Sequence, residues 1–375
     1  MRSFTGGNNV NRACWILLAV LLLLAVGACE EEPEYEGEGG IFDNPVGIAV
    51  RWPYVYVTSA NFDLSQDKVG RITVIDMRIA LAYRDECVVN SIETTPYLGQ
   101  MVITADGSLA YVAERRRNSI LIYDMSDPTT PKIIDLDEDD SGDQGIRVSS
   151  QPFGLALTAD ESKLFAACIG SGDVSIIDLE QRKLAKTVPL SWGVNDVKID
   201  PLGRYAYVTN KSQLSVVLLD VTDGSYVTSF DAGYTLSITG YDNRGLAFTP
   251  DGSFMFVAAR NPGSLLMVDT DKLPLYPDQA VLKLLPMDLG PTAVAVTPDG
   301  SEVWATNFDS NNVFVFEATT GTLLEVLRVG DGPYALAFVE NPENPGQVYA
   351  LTANFYDHNL TLMDARTKEV IWAIP

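Results

Sequence analysis

The chain has 375 residues, of which 50 are acidic, 26 basic and one a histidine, for a formal net charge of −24. A surface of that sign repels phosphate backbones and anionic headgroups, which excludes nucleic acid as a partner and gives a membrane no electrostatic hold. Four cysteines make no disulfide framework, and a lone His358 with no Cys-x-x-Cys-His run removes most metal and covalent haem chemistry, so no cofactor or metal is expected.

The first element is a targeting segment. Arg2 and Arg12 precede an apolar stretch from Ala13 to Ala28, too short for a comfortable membrane span, and Cys29 is followed at once by Glu30, Glu31 and Glu32. Val26-Gly27-Ala28-Cys29 resembles the lipobox of bacterial lipoproteins. The resemblance implies that residues 1–28 are a signal peptide, that Cys29 becomes the lipidated first residue, and that the lipid on Cys29 is the membrane contact; an uncleaved signal anchor is the alternative. Each buried methylene of such an anchor contributes about 0.8 kcal/mol, so several acyl chains would hold the protein permanently. With Glu30 where an Asp would imply inner-membrane retention, the resemblance implies an outer-membrane address in the cell envelope, on the periplasmic or surface side. All 50 acidic residues but only 24 of the basic ones follow Cys29, a net charge of −26. Residues 29–44, rich in acid and glycine, read as a flexible tether with a reach of roughly 20 to 25 Å.

The rest of the chain repeats. Gly245-Leu-Ala-Phe-Thr-Pro-Asp-Gly252, Phe254-Met-Phe-Val-Ala-Ala259, Ser264-Leu-Leu-Met-Val-Asp269 and an apolar segment near Val281 to Leu285 form one unit of four short strands. The Gly245 position recurs at Gly47, Gln100, Gly154, Asp196, Ala293 and Ala335, at intervals of 42 to 54 residues. Four alternating strands at that period predict an all-β fold, a seven-bladed β-propeller of four-stranded antiparallel blades, with approximate blades 45–94, 95–149, 150–191, 192–242, 243–289, 290–331 and 332–375. The Asp-Gly turns after the first strands suit tight hairpins. An acid closes each third strand (Asp76, Asp124, Asp178, Asp220, Asp269, Glu317, Asp364) and is expected to accept backbone N–H groups at the next turn, despite looking like a catalytic carboxylate.

Tyr205-Ala-Tyr-Val-Thr-Asn210, Tyr54-Val-Tyr-Val-Thr58 and the Thr-Pro-Asp-Gly turns resemble the repeats of YVTN-family β-propellers, and Ile122-Tyr-Asp-Met-Ser-Asp-Pro-Thr-Thr-Pro-Lys132 resembles an LVIVD-type repeat. The resemblance covers the mature chain and implies the fold. It leaves activity open between non-enzymatic binding or scaffold proteins and enzymes of the lactonase or lyase type. Two units are longer than the others. The insertion at Asp135–Asp143 looks superficially like a calcium loop, but Ile146 stands where a bidentate Glu is needed, so a solvated acidic loop is the competing reading. Ala232 to Asp242 lengthens the passage into the fifth unit.

In an antiparallel blade the loops after the second and fourth strands share one end. For this sequence that end collects Arg115, Arg116, Arg117, Arg147, Arg244 and Arg260 together with Tyr97, Phe153, Trp192 and Tyr334. Guanidinium forks beside aromatic rings suit a carboxylate or sugar acid; solvated or locally paired arginines are the alternative. Asn210, Asn307 and Asn354, at second-strand ends, are either further ligand contacts or turn caps. His358 reads as an exposed loop residue, and no nucleophile motif or paired glycosidase carboxylates can be identified, so no catalytic residue is assigned. The expected function is a lipid-tethered binding or scaffold module presenting this face to an envelope protein, peptide or glycan. The alternative is an enzyme with its site at the channel mouth.

Overall fold

The computed structural model describes residues 42–61, 69–82, 85–134, 136, 144–212, 215–231 and 241–375. The signal peptide, Cys29, the tether up to residue 41, nearly all of the 135–143 insertion and residues 232–240 lie outside the described residues, as do the readings placed on them.

Seven antiparallel sheets follow one another along the chain as a β-propeller, each a meander with its strands in sequence order. The blades span residues 45–94, 98–147, 152–189, 194–231, 241–286, 291–328 and 333–374. In six the sheet has four strands. In blade two the outermost strand is broken into Lys132–Ile133 and Ile146–Arg147, both paired with Ser119–Asp124, because the acidic insertion interrupts it.

Burial follows strand position. Second strands such as Tyr54–Ser59, Tyr205–Asn210 and Glu302–Asn307 are covered on both faces by the neighbouring blades and are buried along almost their whole length. Outermost strands such as Lys183–Pro189 and Leu323–Arg328 are mostly exposed. Apolar clusters therefore sit between blades: Tyr207, Val216 and Leu218 of blade four pack with Met255, Val257 and Leu266 of blade five. This is why a single blade has no core of its own.

The turns use the expected chemistry. Thr249 Oγ1 donates to Asp251 Oδ1 (2.6 Å), which also accepts Ser253 N (3.0 Å), and Gly252 adopts φ +73. Six of the seven third-strand acids accept a backbone N–H just beyond the strand, from Asp76 with Arg78 N (2.9 Å) to Asp364 with Arg366 N (2.8 Å). Glu317, one methylene longer, instead accepts the Thr320 hydroxyl (2.6 Å).

Blade seven is completed by its own last strand, Glu369–Ile374, which among the described residues pairs only with Asn359–Asp364. The ring is closed by side chains. Phe42, 0% exposed, lies in one cluster with Val55 and Val57 of blade one and Leu360, Leu362 and Ile374 of blade seven. His358 corrects its sequence reading as an exposed loop residue: it is half-buried, Nδ1 accepts Asn44 N (3.1 Å), and the same nitrogen lies 3.1 Å from Phe42 O. Cys87 and Cys168 are buried free thiols.

Candidate functional site

Two sevenfold sets of residues build the mouth of the central channel. In every blade the register between first and second strands slips near the start of the first strand, and the slipped segment carries Val46, Gly99, Phe153, Asn195, Arg244, Thr292 or Tyr334. A bulge breaks the two-residue alternation and re-aims a side chain; here all but Gly99 line the channel. The second set is the residue that follows, on the second strand, the partner of the last paired residue before each bulge: Ala60, Arg115, Ile169, Lys211, Arg260, Phe308 and Phe355. Six of these have their N–H held by a carbonyl two residues before the bulge, from Asn44, Tyr97, Gln151, Gly193, Gly290 and Gly332 respectively. The six residues whose carbonyls accept these bonds all have positive φ, Tyr97 at +67 and Gly193 at +104.

The aromatic members of the two sets meet. Phe153 and Tyr334 lie edge to face at 6.1 Å, and Tyr334 is 5.9 Å from both Phe308 and Phe355. On this aromatic wall the Arg115 guanidinium sits 5.8 Å from the Phe153 centroid and that of Arg260 sits 5.2 Å from Phe308. Arg244 is held by Asp242 through Nε to Oδ1 (2.6 Å) and Nη2 to Oδ2 (2.9 Å). Arg260 Nη2 is 3.7 Å from Asp309, whose side chain is half exposed. Burial, then the charge of Arg244, opposed in part by Asp242 and joined by Arg115 and Arg260, bring the Lys211 ammonium down to about 8. Burial likewise lowers Arg115 and Arg260, though an arginine so shifted stays charged.

Below the mouth the channel holds a cavity of about 160 Å³. Its wall is close-packed backbone: a Cβ on Gly154 would stand 2.8 Å from Asp196 Cα, and one on Gly245 would stand 2.8 Å from Thr292 O. Gln100 and Asp196 occupy the position that is Gly or Ala in the other blades, and they reach across. Gln100 Nε2 donates to Asp196 Oδ1 (3.1 Å), while Gln100 Oε1 accepts Lys198 Nζ (2.9 Å) and Leu155 N (3.2 Å). Among the described residues no three His, Cys, Asp or Glu side chains gather as a metal set.

The structure thus brings together Arg115, Arg244, Arg260, Phe153 and Tyr334, with Tyr97 near enough to Arg115 to favour its charge. Arg147 stands apart and exposed on the outermost strand of blade two, across from Ser119. Trp192 lies on the rim, 77% exposed, its carbonyl accepting Asn210 Nδ2 (3.4 Å). The three asparagines are buried and turn inward as caps: Asn210 accepts Ser212 N (2.7 Å), while Asn307 and Asn354 donate to Asn312 and Asn359 (2.7 Å each). Of the mouth residues, Lys211, Phe308 and Phe355 were not singled out from sequence, although each directly follows one of those asparagines.

Among curated proteins the chain is 25% identical over 178 residues to hydrazine synthase subunit beta of Kuenenia stuttgartiensis, covering 38% of this chain and 46% of that protein. The chain therefore matches about half the length of this relative. Among solved structures, Kuenenia stuttgartiensis hydrazine synthase superposes with a TM-score of 0.70 at 16% identity, covering 89% of this chain and 98% of that one. A functionally unknown protein from Desulfotomaculum acetoxidans DSM 771 superposes with a TM-score of 0.62 at 18% identity, covering 81% and 92%. No family model matches the chain. The protein is a β-propeller with a distant likeness to a hydrazine synthase subunit.

Proposed function

We propose that the protein is a YVTN-type, lipid-tethered envelope propeller that binds, without chemistry of its own scaffold being required, an anionic ligand at the channel mouth. The ligand is a small carboxylate or sugar acid, or the carboxylate-bearing tip of a peptide or glycan. The observation that carries this reading is the gathering of Arg115, Lys211, Arg244 and Arg260 from three blades against an aromatic wall, in a chain whose charge is otherwise strongly negative. Clustering like charges in a partly buried place opposes folding, and a bound anion relieves it. The test is a thermal-shift screen of the protein against aryl carboxylates, sugar acids and acidic peptides, repeated with Arg115→Ala and Arg260→Ala. A ligand at 100 times its dissociation constant stabilises by about 2.7 kcal/mol. A shift that the substitutions abolish supports the mouth as the site, and one that they leave intact rejects it.

A second reading is that the mouth face docks a protein in an envelope assembly. It is favoured by the likeness to a protein named as a subunit and by exposed apolar side chains on the rim: Trp192, Leu289 (71%) and Tyr356 (47%). Trp192→Ser combined with Leu289→Ser should then lower recovery of a cross-linked partner from envelope preparations while leaving the thermal shift by small carboxylates unchanged.

A further inference from the structure

Lys211 is placed where an amine can react. It follows the second strand of blade four directly, and its backbone is fixed from both sides, N–H to Gly193 O and C=O to Asp242 N, each at 2.6 Å. Its electrostatic neighbours are Arg244, Asp242, Arg115 and Arg260. Asp242 Oδ2 accepts Arg244 Nη2 (2.9 Å) and Oδ1 lies 2.6 Å from Arg244 Nε, while among the described residues no carboxylate comes within ion-pairing distance of the Lys211 ammonium. An amine that is partly buried, ringed by guanidinium groups and left without a counter-ion is the arrangement that yields a neutral nucleophile.

We propose that Lys211 captures a 2-oxo acid in the mouth as an imine, with Arg115 and Arg260 holding the carboxylate of the ligand. The proposal rests on the mouth being the ligand site and names the chemical class that fits it. A carboxylate is what paired guanidinium forks recognise. A carbonyl on the adjacent carbon is what a neutral amine attacks, and the Phe153, Tyr334, Phe308 and Phe355 rings give an apolar substituent a surface to cover. In the reaction the Nζ lone pair forms the C–N bond as the carbonyl π electrons move to oxygen, which takes up a proton. The resulting carbinolamine then loses its hydroxyl, protonated, as water while nitrogen gives up its second hydrogen, leaving C=N. One water leaves, nothing is oxidised or reduced, and hydrolysis reverses the capture. Burial and the neighbouring cations make the amine available near neutral pH, where an ordinary lysine is almost wholly protonated.

The test uses the full chain in detergent, incubated at pH 7.5 with phenylpyruvate and sodium cyanoborohydride and read by intact mass and peptide mapping. The expected result is one reduced adduct on the peptide carrying Lys211. It should be absent in Lys211→Arg and in Lys211→Met, and reduced at least tenfold in Arg115→Ala. Adduct spread evenly over exposed lysines such as Lys183 and Lys186, or none at all, overturns the proposal. 3-Phenylpropionate, which has the carboxylate and ring but no carbonyl, separates the two levels. If it still gives a thermal shift sensitive to Arg115→Ala while phenylpyruvate leaves no adduct, the imine fails and the anion site stands. If neither is seen, both fail.

Discussion

The Arg260 guanidinium stacks 5.2 Å from the centre of the Phe308 ring while its charge partner, Asp309 at 3.7 Å, is the next residue along the chain. One turn of blade six therefore orients a cation of blade five with its ring and balances it with its carboxylate. Because Asp309 is half exposed, water screens that pair more than it screens the buried neighbours, and much of the positive field at the mouth persists. The same division holds at Arg244, but there Asp242 closes a two-point contact and neutralises it. Arg244 is thus held at closer range than Arg260.

Arg260→Lys keeps the charge but loses both the fork and the stack. Hydrogen bonds to a charged group are worth about 1.5 to 3 kcal/mol, so affinity for an aryl carboxylate should fall tenfold or more. Arg244→Lys, whose fork is already occupied by Asp242, should change affinity several-fold less. Isothermal titration of the two variants side by side decides the matter; equal losses would mean that Asp242 does not hold Arg244 back.

Among the described residues, Phe42 and His358 close the ring without a shared strand. Phe42→Ala removes a fully buried ring from the seam of blades one and seven and should cost about 3 to 5 kcal/mol. His358→Ala loses the acceptor for Asn44 N and should cost about 1 to 3 kcal/mol. Urea unfolding measures both. A midpoint unmoved by Phe42→Ala would mean that the ring holds through blade-to-blade packing alone.

The seven blades were legible because each repeats the same apolar alternation and turn chemistry, so an error in one copy is corrected by the other six. Six of the seven acids ending the third strands do what their recurrence implies, accepting a backbone N–H at the next turn, and Glu317 alone takes a hydroxyl instead. The mouth was legible only in part. Arg115, Arg260, Phe153 and Tyr334 stood out because positive charge and loop aromatics are unusual in this chain. Lys211, Phe308 and Phe355 were passed over for the preceding asparagines, since whether a strand-end residue or its successor faces the channel depends on the strand's register. The bulges that aim Phe153, Arg244 and Tyr334 inward leave no mark in the sequence, because a bulge is a shift in pairing and not a residue type. Arg147 was misplaced by the insertion at 135–143, which splits the outermost strand and carries it to the outer edge.

Acid should weaken the turns before the core. The Thr158 hydroxyl and the Ser162 N–H hold the Asp160 carboxyl at about 2, and the like-placed Asp106, Asp251 and Asp299 are lowered by equivalent partners. A carboxyl whose folded value lies below its unfolded one stabilises fully above about pH 4 and loses that contribution as pH falls towards 2. Wild type should therefore be more stable than Asp160→Ala at pH 6, with the gap closing between pH 4 and pH 2. Chemical unfolding across that range reads the difference, and a gap independent of pH would assign the turn to packing and not to charge.

Lys211 gives a prediction of opposite sign. Its ammonium is pushed down, chiefly by burial and then by Arg244, so the folded state binds that proton less tightly than the unfolded chain does. The group therefore opposes folding at every pH below about 8, and the penalty is relieved as pH rises through 8 and is gone once the unfolded lysine also deprotonates, near 10.4. Lys211→Met, similar in length and without charge, should melt higher than wild type at pH 7, and the two melting curves should converge as pH approaches 10. A saturating aryl carboxylate should narrow the gap at pH 7 as well, because its charge offsets the ammonium in wild type and has less to offset in the variant. If Lys211→Met is the less stable protein at pH 7, the amine is better solvated than its surroundings indicate, and the mouth does not store the repulsion that a bound anion would release.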